Sequence, residues 1–163
     1  MKLNWVLGDT MIIFHMVFLI MFFTAFLSAT LLPMGSEAVL IYNVIQGYSV
    51  YLLFFMAVLG NTLGSYVNYF LGLKGEEYLV SKKILKEHKI NQYKKHFDKY
   101  GGYTLLLSWV PVIGDGFTLI AGILRYNITK FFIYVFIAKF MRYFVLIVLY
   151  YNFEKQILEY VGL

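Results

Sequence analysis

Four charged side chains stand out in this sequence because they lie in or beside long apolar stretches: Glu37, Asp115, Lys139 and Arg142. A carboxylate at membrane depth is costly and typically marks an ion or proton path. Lys139 and Arg142 are three residues apart and so share one face of a helix. A guanidinium suits phosphate because its planar fork donates two parallel hydrogen bonds, while an ammonium acts as a point charge. The four residues predict a proton-linked anion site.

Each of these groups also has a plain structural interpretation. Glu37 and Asp115 each follow a helix break, where a carboxylate can cap free amides and complement the positive end of a helix. Lys139 and Arg142 could simply neutralise the two carboxylates in ion pairs. Both interpretations stay open at this stage, and paired neutral substitutions would separate them.

Five uncharged residues complete the predicted site. The helix starts beside Gly35, Ser36 and Gly114 would present free amides to an anionic headgroup. Asn61 lies in an uncharged run, where its amide either bonds a neighbouring helix or lines a polar path. Trp109 stands beside the second break and either packs within a hairpin or contacts a lipid.

The helices that position these residues are predicted from the distribution of charge. No Asp, Glu, Lys or Arg occurs in residues 10–36 or in residues 38–73. Both runs exceed the roughly 20 residues that a helix needs to cross a bilayer. We predict crossings over Tyr48–Leu73 and Thr129–Asn152. The segment from Thr10 to Ile45 has only 36 residues, which is tight for a full crossing plus a hairpin, so a full crossing by the first run is left open.

The segment between the crossings has the opposite character. Residues 74–100 carry eight lysines against four acidic residues, which indicates a cytoplasmic loop. Apolar side chains recur in it at helical spacing, with Asn91 as a predicted N-cap and Gly101–Gly102 as a predicted stop. An amphipathic helix at the membrane surface is expected here.

Two apolar segments are broken near their middle. One break holds Pro33 and Gly35, and the other holds Pro111 and Gly114. Proline removes an amide donor and glycine weakens the helix. Such backbone is tolerated at membrane depth only inside protein or beside a water-filled cavity, as in re-entrant hairpins.

An offset of 78 residues superimposes the two breaks. Pro33 falls on Pro111, Glu37 falls on Asp115, and Asn61 falls on Lys139. Because one crossing separates the two hairpins, they must enter the membrane from opposite faces. The predicted fold is an all-α integral membrane protein, an inverted repeat of two re-entrant helical hairpins, each followed by a transmembrane helix. Residues 1–163 form one membrane domain, divided into 1–73 with the N-terminal helix, the linker 74–100, and 101–163.

Composition excludes several classes of function. Hydrophobic residues make up 61% of the chain and charged residues 14%, which is far from a soluble domain. The basic residues are concentrated in one loop, so no nucleic-acid partner is expected. Without cysteine, and without hydrolase, Walker or metal-ligand spacings, the chain is expected to be no enzyme and to use no metal or cofactor.

Several short motifs resemble the DedA family, YqaA type, also called the VTT or SNARE-associated membrane-protein family. The resemblance covers Ser28 to Tyr143 and is carried by Pro33, Gly35-Ser36-Glu37, Gly60-Asn61-Thr62-Leu63-Gly64, Asn68-Tyr69, Gly72, Ser108-Trp109-Val110-Pro111-Val112-Ile113-Gly114-Asp115 and Ala121-Gly122. It implies two facing re-entrant hairpins with crossing helices, a role in lipid movement, including undecaprenyl phosphate recycling, and a role in homeostasis that depends on the proton-motive force. Better-studied members have arginines around the second proline, where this chain has Ser108 and Gly114.

These observations together predict a transporter or flippase of a bacterial inner membrane. The expected substrate is an anionic lipid-linked molecule such as undecaprenyl phosphate, moved in exchange with protons. A proton-coupled carrier of a small ion and a non-transporting assembly factor are the alternatives. Membrane lipids and protons are the expected partners, and homo-oligomerisation is left open.

Overall fold

The computed structural model describes residues 2–30, 35–82, 84, 87–110 and 113–161, and their side chains from residue 15 to residue 156 except at 87 and 89. Every regular element in these ranges is helical, which confirms the all-α class. The order is α1 (Lys2–Ser28), α2 (Ser36–Ile45), α3 (Val50–Ser81), α4 (Glu87–Leu106), a 3-10 turn (Leu107–Trp109), α5 (Ile113–Ile123) and α6 (Ile128–Val161).

Among the described residues, α3 and α6 are the helices that are long and apolar enough to cross a bilayer. They contain 32 and 34 residues, or about 48 and 51 Å at the α-helical rise. A hydrocarbon core is only about 30 Å thick. Both helices therefore extend beyond the predicted crossings, and α3 continues past Leu73 through the charged residues as far as Ser81.

The outer faces of these helices are apolar and exposed. On α6 the exposed large side chains include Phe132, Ile133, Ile137, Met141, Phe144, Val148 and Leu149. A soluble monomer rarely leaves such a continuous apolar surface in water. Hydrocarbon is the environment that stabilises it, as expected for an integral membrane protein.

The chain repeats its local backbone geometry at the offset found in the sequence. α2 and α5 end at Ile45 and Ile123, and α3 and α6 begin at Val50 and Ile128, each pair 78 residues apart. Both short helices end in the same pair of amide-to-carbonyl bonds, a Schellman cap: Gly47 to Val44 and Tyr48 to Asn43, then Arg125 to Gly122 and Tyr126 to Ala121. The turn that follows each short helix is therefore alike at the two positions.

A Schellman cap needs a residue in the left-handed region, and the two copies meet this need differently. Gly47 has φ of 83°, whereas Arg125 has φ of 50°, which costs a residue with a side chain about 1–2 kcal/mol. The Arg125 guanidinium lies 2.8 Å from the carboxylate of Glu76 on α3. Because Glu76 is almost fully buried, this ion pair attaches the turn between α5 and α6 to α3.

Helix crossings depend on glycines at which backbones touch. A Cβ at Gly60 or Gly64 would lie 2.2–2.3 Å from carbonyl oxygens of α1. A Cβ at Gly72 or Gly122 would lie about as close to the opposite backbone where α3 crosses α5. Small residues allow this approach, so α3 is the central helix against which α1 and α5 pack.

Two apolar clusters form the core, and polar residues separate them. One cluster joins α1, α2, the first part of α3 and the middle of α6 around Met21, Leu53 and Tyr143. The other joins the later part of α3 to α4, α5 and α6 around Leu105 and Phe131. Between the clusters, α3 buries Asn61, Thr62, Ser65 and Asn68, and α6 buries Lys139. The candidate site lies in this polar layer.

The predicted ends of the linker helix are wrong. α4 begins at Glu87, before Asn91, and continues through Gly101 and Gly102 to Leu106. A Cβ at Gly102 would lie 2.6 Å from the ring of Tyr134 on α6. This glycine therefore allows a close helix contact instead of ending the helix.

The predicted breaks at Pro33 and Pro111 lie outside the described residues. The flanking helices end and begin on either side of them, at Ser28 and Ser36 and at Trp109 and Ile113. Helices α3 and α4 also run across the sequence boundaries drawn at 73/74 and 100/101. The linker is therefore continuous in backbone structure with both repeats.

Candidate functional site

Two ion pairs connect α6 to the two short helices. The Lys139 ammonium donates to the Asp115 carboxylate of α5 at 2.7 Å, and the Arg142 guanidinium donates to the Glu37 carboxylate of α2. Lys139 and Arg142 are neighbours on one face of α6, as their spacing predicts. Each half of the repeat thus supplies one carboxylate to the same pair of cations.

Burial differs sharply among the four side chains. Lys139 is 0% exposed and Arg142 is 11% exposed, whereas Asp115 is 16% and Glu37 is 31% exposed. Removing one partner of such a pair leaves an uncompensated charge and costs about 3–5 kcal/mol. In both pairs the carboxylate is therefore the more exposed partner.

A hydrogen-bond network surrounds the Arg142–Glu37 pair. The Ser36 hydroxyl lies 3.0 Å from the Tyr143 hydroxyl and donates to the Glu37 carboxylate at 3.4 Å. The Asn61 amide donates to Tyr143 at 3.1 Å and to the Ser28 hydroxyl at 3.1 Å. Four helices, α1, α2, α3 and α6, therefore meet at one polar junction.

A second network lies beside the Lys139–Asp115 pair. The Asn68 amide donates to the Ala29 carbonyl at 2.7 Å and to the Thr118 hydroxyl at 3.3 Å. Thr118 in turn donates to the backbone carbonyl of Asp115 at 2.6 Å. Asn61 and Asn68, seven residues apart on α3, each donate to residues from the first and from the second half of the chain.

The capping interpretation of the carboxylates fits their positions. Glu37 and Asp115 both lie in the first turn of a helix, where the helix dipole favours a negative charge. Their strongest side-chain partners are nevertheless the cations of α6. At both positions the carboxylate is therefore stabilised by the start of its own helix and by a cation of α6.

Gly114 does not offer a free backbone amide of its own, contrary to the prediction for this helix start. The Gly114 amide already donates to the Val110 carbonyl at 3.0 Å, so it is not free for a headgroup. A Cβ at Gly114 would lie 2.6 Å from the Ser108 carbonyl oxygen. Gly114 thus lets the chain fold tightly back on itself, while Gly35 directly precedes α2 and supplies its carbonyl to the Val39 amide.

Trp109 lies on the exposed apolar surface of the molecule. It is 46% exposed and lines an apolar groove of about 310 Å³ with Leu106, Ile137, Ala138, Met141 and Val145. Ala138 directly precedes Lys139 and Met141 directly precedes Arg142, so the groove lies along the stretch of α6 that carries the two cations, on a different face of the helix. A hydrocarbon chain is the kind of group that suits such a surface.

Sequence reasoning missed two members of the site. Tyr143 is fully buried, and the hydroxyl of a buried tyrosine needs a partner. Its position beside Arg142 and four residues after Lys139 was the available signal. Ser28 joins the same junction, although in the sequence it resembles only one more small residue in an apolar run.

Comparison with known proteins extends this description. The family model for the VTT domain matches residues 32–152. Inner membrane protein YqaA of Escherichia coli is 37% identical over 124 residues, covering 76% of this chain and 83% of the relative, and the Shigella flexneri protein of that name matches equally. A protein of Haemophilus influenzae called only "uncharacterized protein" is 36% identical over 137 residues, covering 79% and 84%. No solved structure matches the chain.

The family match spans both short helices, both crossing helices and all four charged residues of the site. Together with the apolar exposed helices, it places the protein in a bacterial inner membrane, as the sequence predicted. The chain belongs to the DedA family of membrane proteins, whose shared region is the VTT domain.

Proposed function

We propose that this protein moves an anionic lipid-linked substrate across the inner membrane in exchange with protons. The observation that carries the proposal is the pair of cations on α6, each held by a carboxylate from a different half of the repeat. Undecaprenyl phosphate is the substrate implied by the family resemblance. Transport of this kind makes and breaks no covalent bond, so no catalytic residue is assigned.

Exchange follows from competition for the cations. When Glu37 and Asp115 are ionised, they neutralise Arg142 and Lys139. Protonation of a carboxylate removes its charge and releases its cation, which can then bind a phosphate oxygen. Because both carboxylates are more exposed than their partners, protons reach them without the cations leaving the interior.

The proposed membrane arrangement is the inverted repeat of re-entrant hairpins. It is supported by the repeated order of a long helix, a short helix and a crossing helix, and by the matching turns 78 residues apart. In this arrangement α2 and α5 enter from opposite leaflets, and their first turns meet at α6 near the midplane. A headgroup bound there would pass between the two carboxylates.

The apolar groove beside Trp109 fits a lipid-linked substrate better than a free ion. It lies along the same stretch of α6 as the cations, so a headgroup at Arg142 could keep its hydrocarbon tail in the membrane. A carrier of small ions would need no such surface. Lipid is therefore the preferred substrate class.

Reconstitution tests this function. Liposomes that contain the purified protein should move undecaprenyl phosphate between leaflets, and an imposed pH gradient should accelerate the movement. Arg142→Lys should slow it at least about tenfold, because the bidentate fork is lost while the charge is kept. Lys130→Arg, an exchange at an exposed position of the same helix, is the matched control. Movement by wild type no faster than in empty liposomes would refute the proposal.

A further inference from the structure

Five buried polar atoms have no hydrogen-bond partner within the described part of the chain. They are the Asn61 Oδ1, Thr62 Oγ1, Ser65 Oγ, Ser108 Oγ and Arg142 Nε atoms. An unpaired polar group in a protein interior is costly, and natural proteins nearly always satisfy it with protein or water. All five belong to the polar layer or to the elements that pack against it. A single local cause for the missing hydrogen bonds is therefore indicated.

Helical spacing shows where the α3 hydroxyls point. Ser65 is seven residues before Gly72 and so shares the face that touches the backbone of α5. Thr62 is seven residues before Tyr69, whose ring lies 4.8 Å from Phe131 of α6. The two hydroxyls therefore face the gap between α5 and α6, which the Lys139–Asp115 ion pair bridges.

Lys139 brings unused hydrogen-bond donors to the same place. Its ammonium has three N–H groups, and one hydrogen bond, to Asp115, is found for it in the described structure. On α6 it lies between Phe131, which contacts Tyr69, and Tyr143, which contacts Asn61. Thr62 and Ser65 occupy the matching stretch of α3. The ammonium is fully buried, so bulk water does not satisfy the remaining donors.

Ser108 closes the gap from the side of the second break. Its backbone lies within 2.6–2.7 Å of where a Gly114 Cβ would stand, directly before Asp115 in the chain. Ser108 itself is 0% exposed. The hydroxyls of α3 and of the 3-10 turn thus belong to two elements that both pack against α5 and α6, the helices that the ion pair joins.

We propose that Thr62, Ser65 and Ser108 form a binding site for buried water beside the Lys139–Asp115 ion pair. Water suits this set because it both donates and accepts, and a buried water needs two to four polar partners. A metal cation would face the Lys139 ammonium, and an anion would face the Asp115 carboxylate whenever that group is ionised. The site does not depend on which substrate the protein carries.

The water connects the two hydrogen-bond networks. Asn61 belongs to the Arg142–Glu37 junction and Asn68 to the Lys139–Asp115 junction, and Thr62 and Ser65 lie between them on α3. The titratable or charged groups that face this layer are Glu37 from α2, Asp115 from α5, and Lys139, Arg142 and Tyr143 from α6. The described side chains of α1 and α3 at this level are uncharged. Water here gives protons a route between the two halves.

A structure at a resolution that shows ordered water tests the site. Density is expected within hydrogen-bond distance of the Thr62 and Ser65 hydroxyls, beside the Lys139 ammonium. An empty gap, in a map where other buried waters are visible, would overturn the proposal.

Removing two hydroxyls tests how the water site affects stability and proton entry. In the Thr62→Val, Ser65→Ala double variant, valine has the shape of threonine, and alanine differs from serine only by the missing hydroxyl. We expect its unfolding midpoint to fall by roughly 2–4 °C and proton entry into pyranine-loaded liposomes to fall about tenfold. Thr104→Val, which removes an exposed hydroxyl of α4, is the control and should change neither.

The opposite results have a clear physical meaning. If the hydroxyls are dry and unpaired, replacing them with apolar groups should raise the unfolding midpoint, and the water site is then wrong. If proton entry is unchanged in the double variant, or if the wild type admits no more protons than empty liposomes, the proton route is wrong. Lipid movement is measured separately, so its absence would refute only the transport function.

Discussion

Replacing Lys139 with methionine should lower the unfolding midpoint by on the order of 10 °C and reduce the yield of folded protein. The substitution keeps the length and apolar stem of the side chain but removes the ammonium. Asp115, only 16% exposed, then keeps its charge without a partner or must bind a proton. Thermal unfolding in detergent or nanodiscs measures the loss.

A second substitution separates the charge effect from packing. Lys139→Met with Asp115→Asn should recover most of the lost stability, because a neutral pair has no uncompensated charge. The recovered protein should still fail to transport if the pair binds substrate. Lys130→Met, at an exposed position on the first turn of the same helix, should be near neutral. A double variant that folds and transports normally would reduce the ion pair to a dispensable structural contact.

Substituting alanine for Gly72 or Gly122 should disrupt the crossing of α3 and α5. The new Cβ would lie 2.1 Å from the Leu119 carbonyl oxygen in the first case and 1.9 Å from the Tyr69 carbonyl oxygen in the second. A backbone atom cannot rotate away, so the helices must separate. Overpacking of this kind costs about 1–3 kcal/mol or more, and it would displace α5 and with it Asp115.

Gly75→Ala provides the matched control for the crossing. Gly75 lies on the same helix, and nothing lies within 4 Å of its Cβ position. Alanine is a better helix former than glycine by about 1 kcal/mol, so this variant should be as stable as wild type or slightly more stable. Equal stability of Gly72→Ala and Gly75→Ala would show that α3 and α5 do not pack as described.

The helices themselves were predictable because a long apolar run without charge has few possible structures other than a membrane helix. Their ends were not, because tertiary contacts decide them. Gly101 and Gly102 have the composition of a stop, yet α4 passes through both because Gly102 accommodates the ring of Tyr134. Likewise α3 carries Glu76 inside the fold, since Arg125 from a turn 49 residues later pairs with it.

The chemical types of the site were readable, but its connections were not. Two cations three residues apart predict a shared face, whereas the partner of each depends on where α2 and α5 cross α6. The structure pairs Arg142 with Glu37 and Lys139 with Asp115. Tyr143 was missed for the same reason, because its hydroxyl contacts residues 107 and 82 positions away.

The central claim is that the carboxylates and the anionic substrate compete for the same two cations. The direct measurement is the affinity for undecaprenyl phosphate in nanodiscs at one fixed pH, compared between wild type and the Glu37→Gln, Asp115→Asn variant. The amides keep the shape of the acids but hold no charge, so the variant should bind about tenfold more tightly or better, a gain of about 1.4 kcal/mol. Equal or weaker binding by a folded variant would contradict the exchange mechanism.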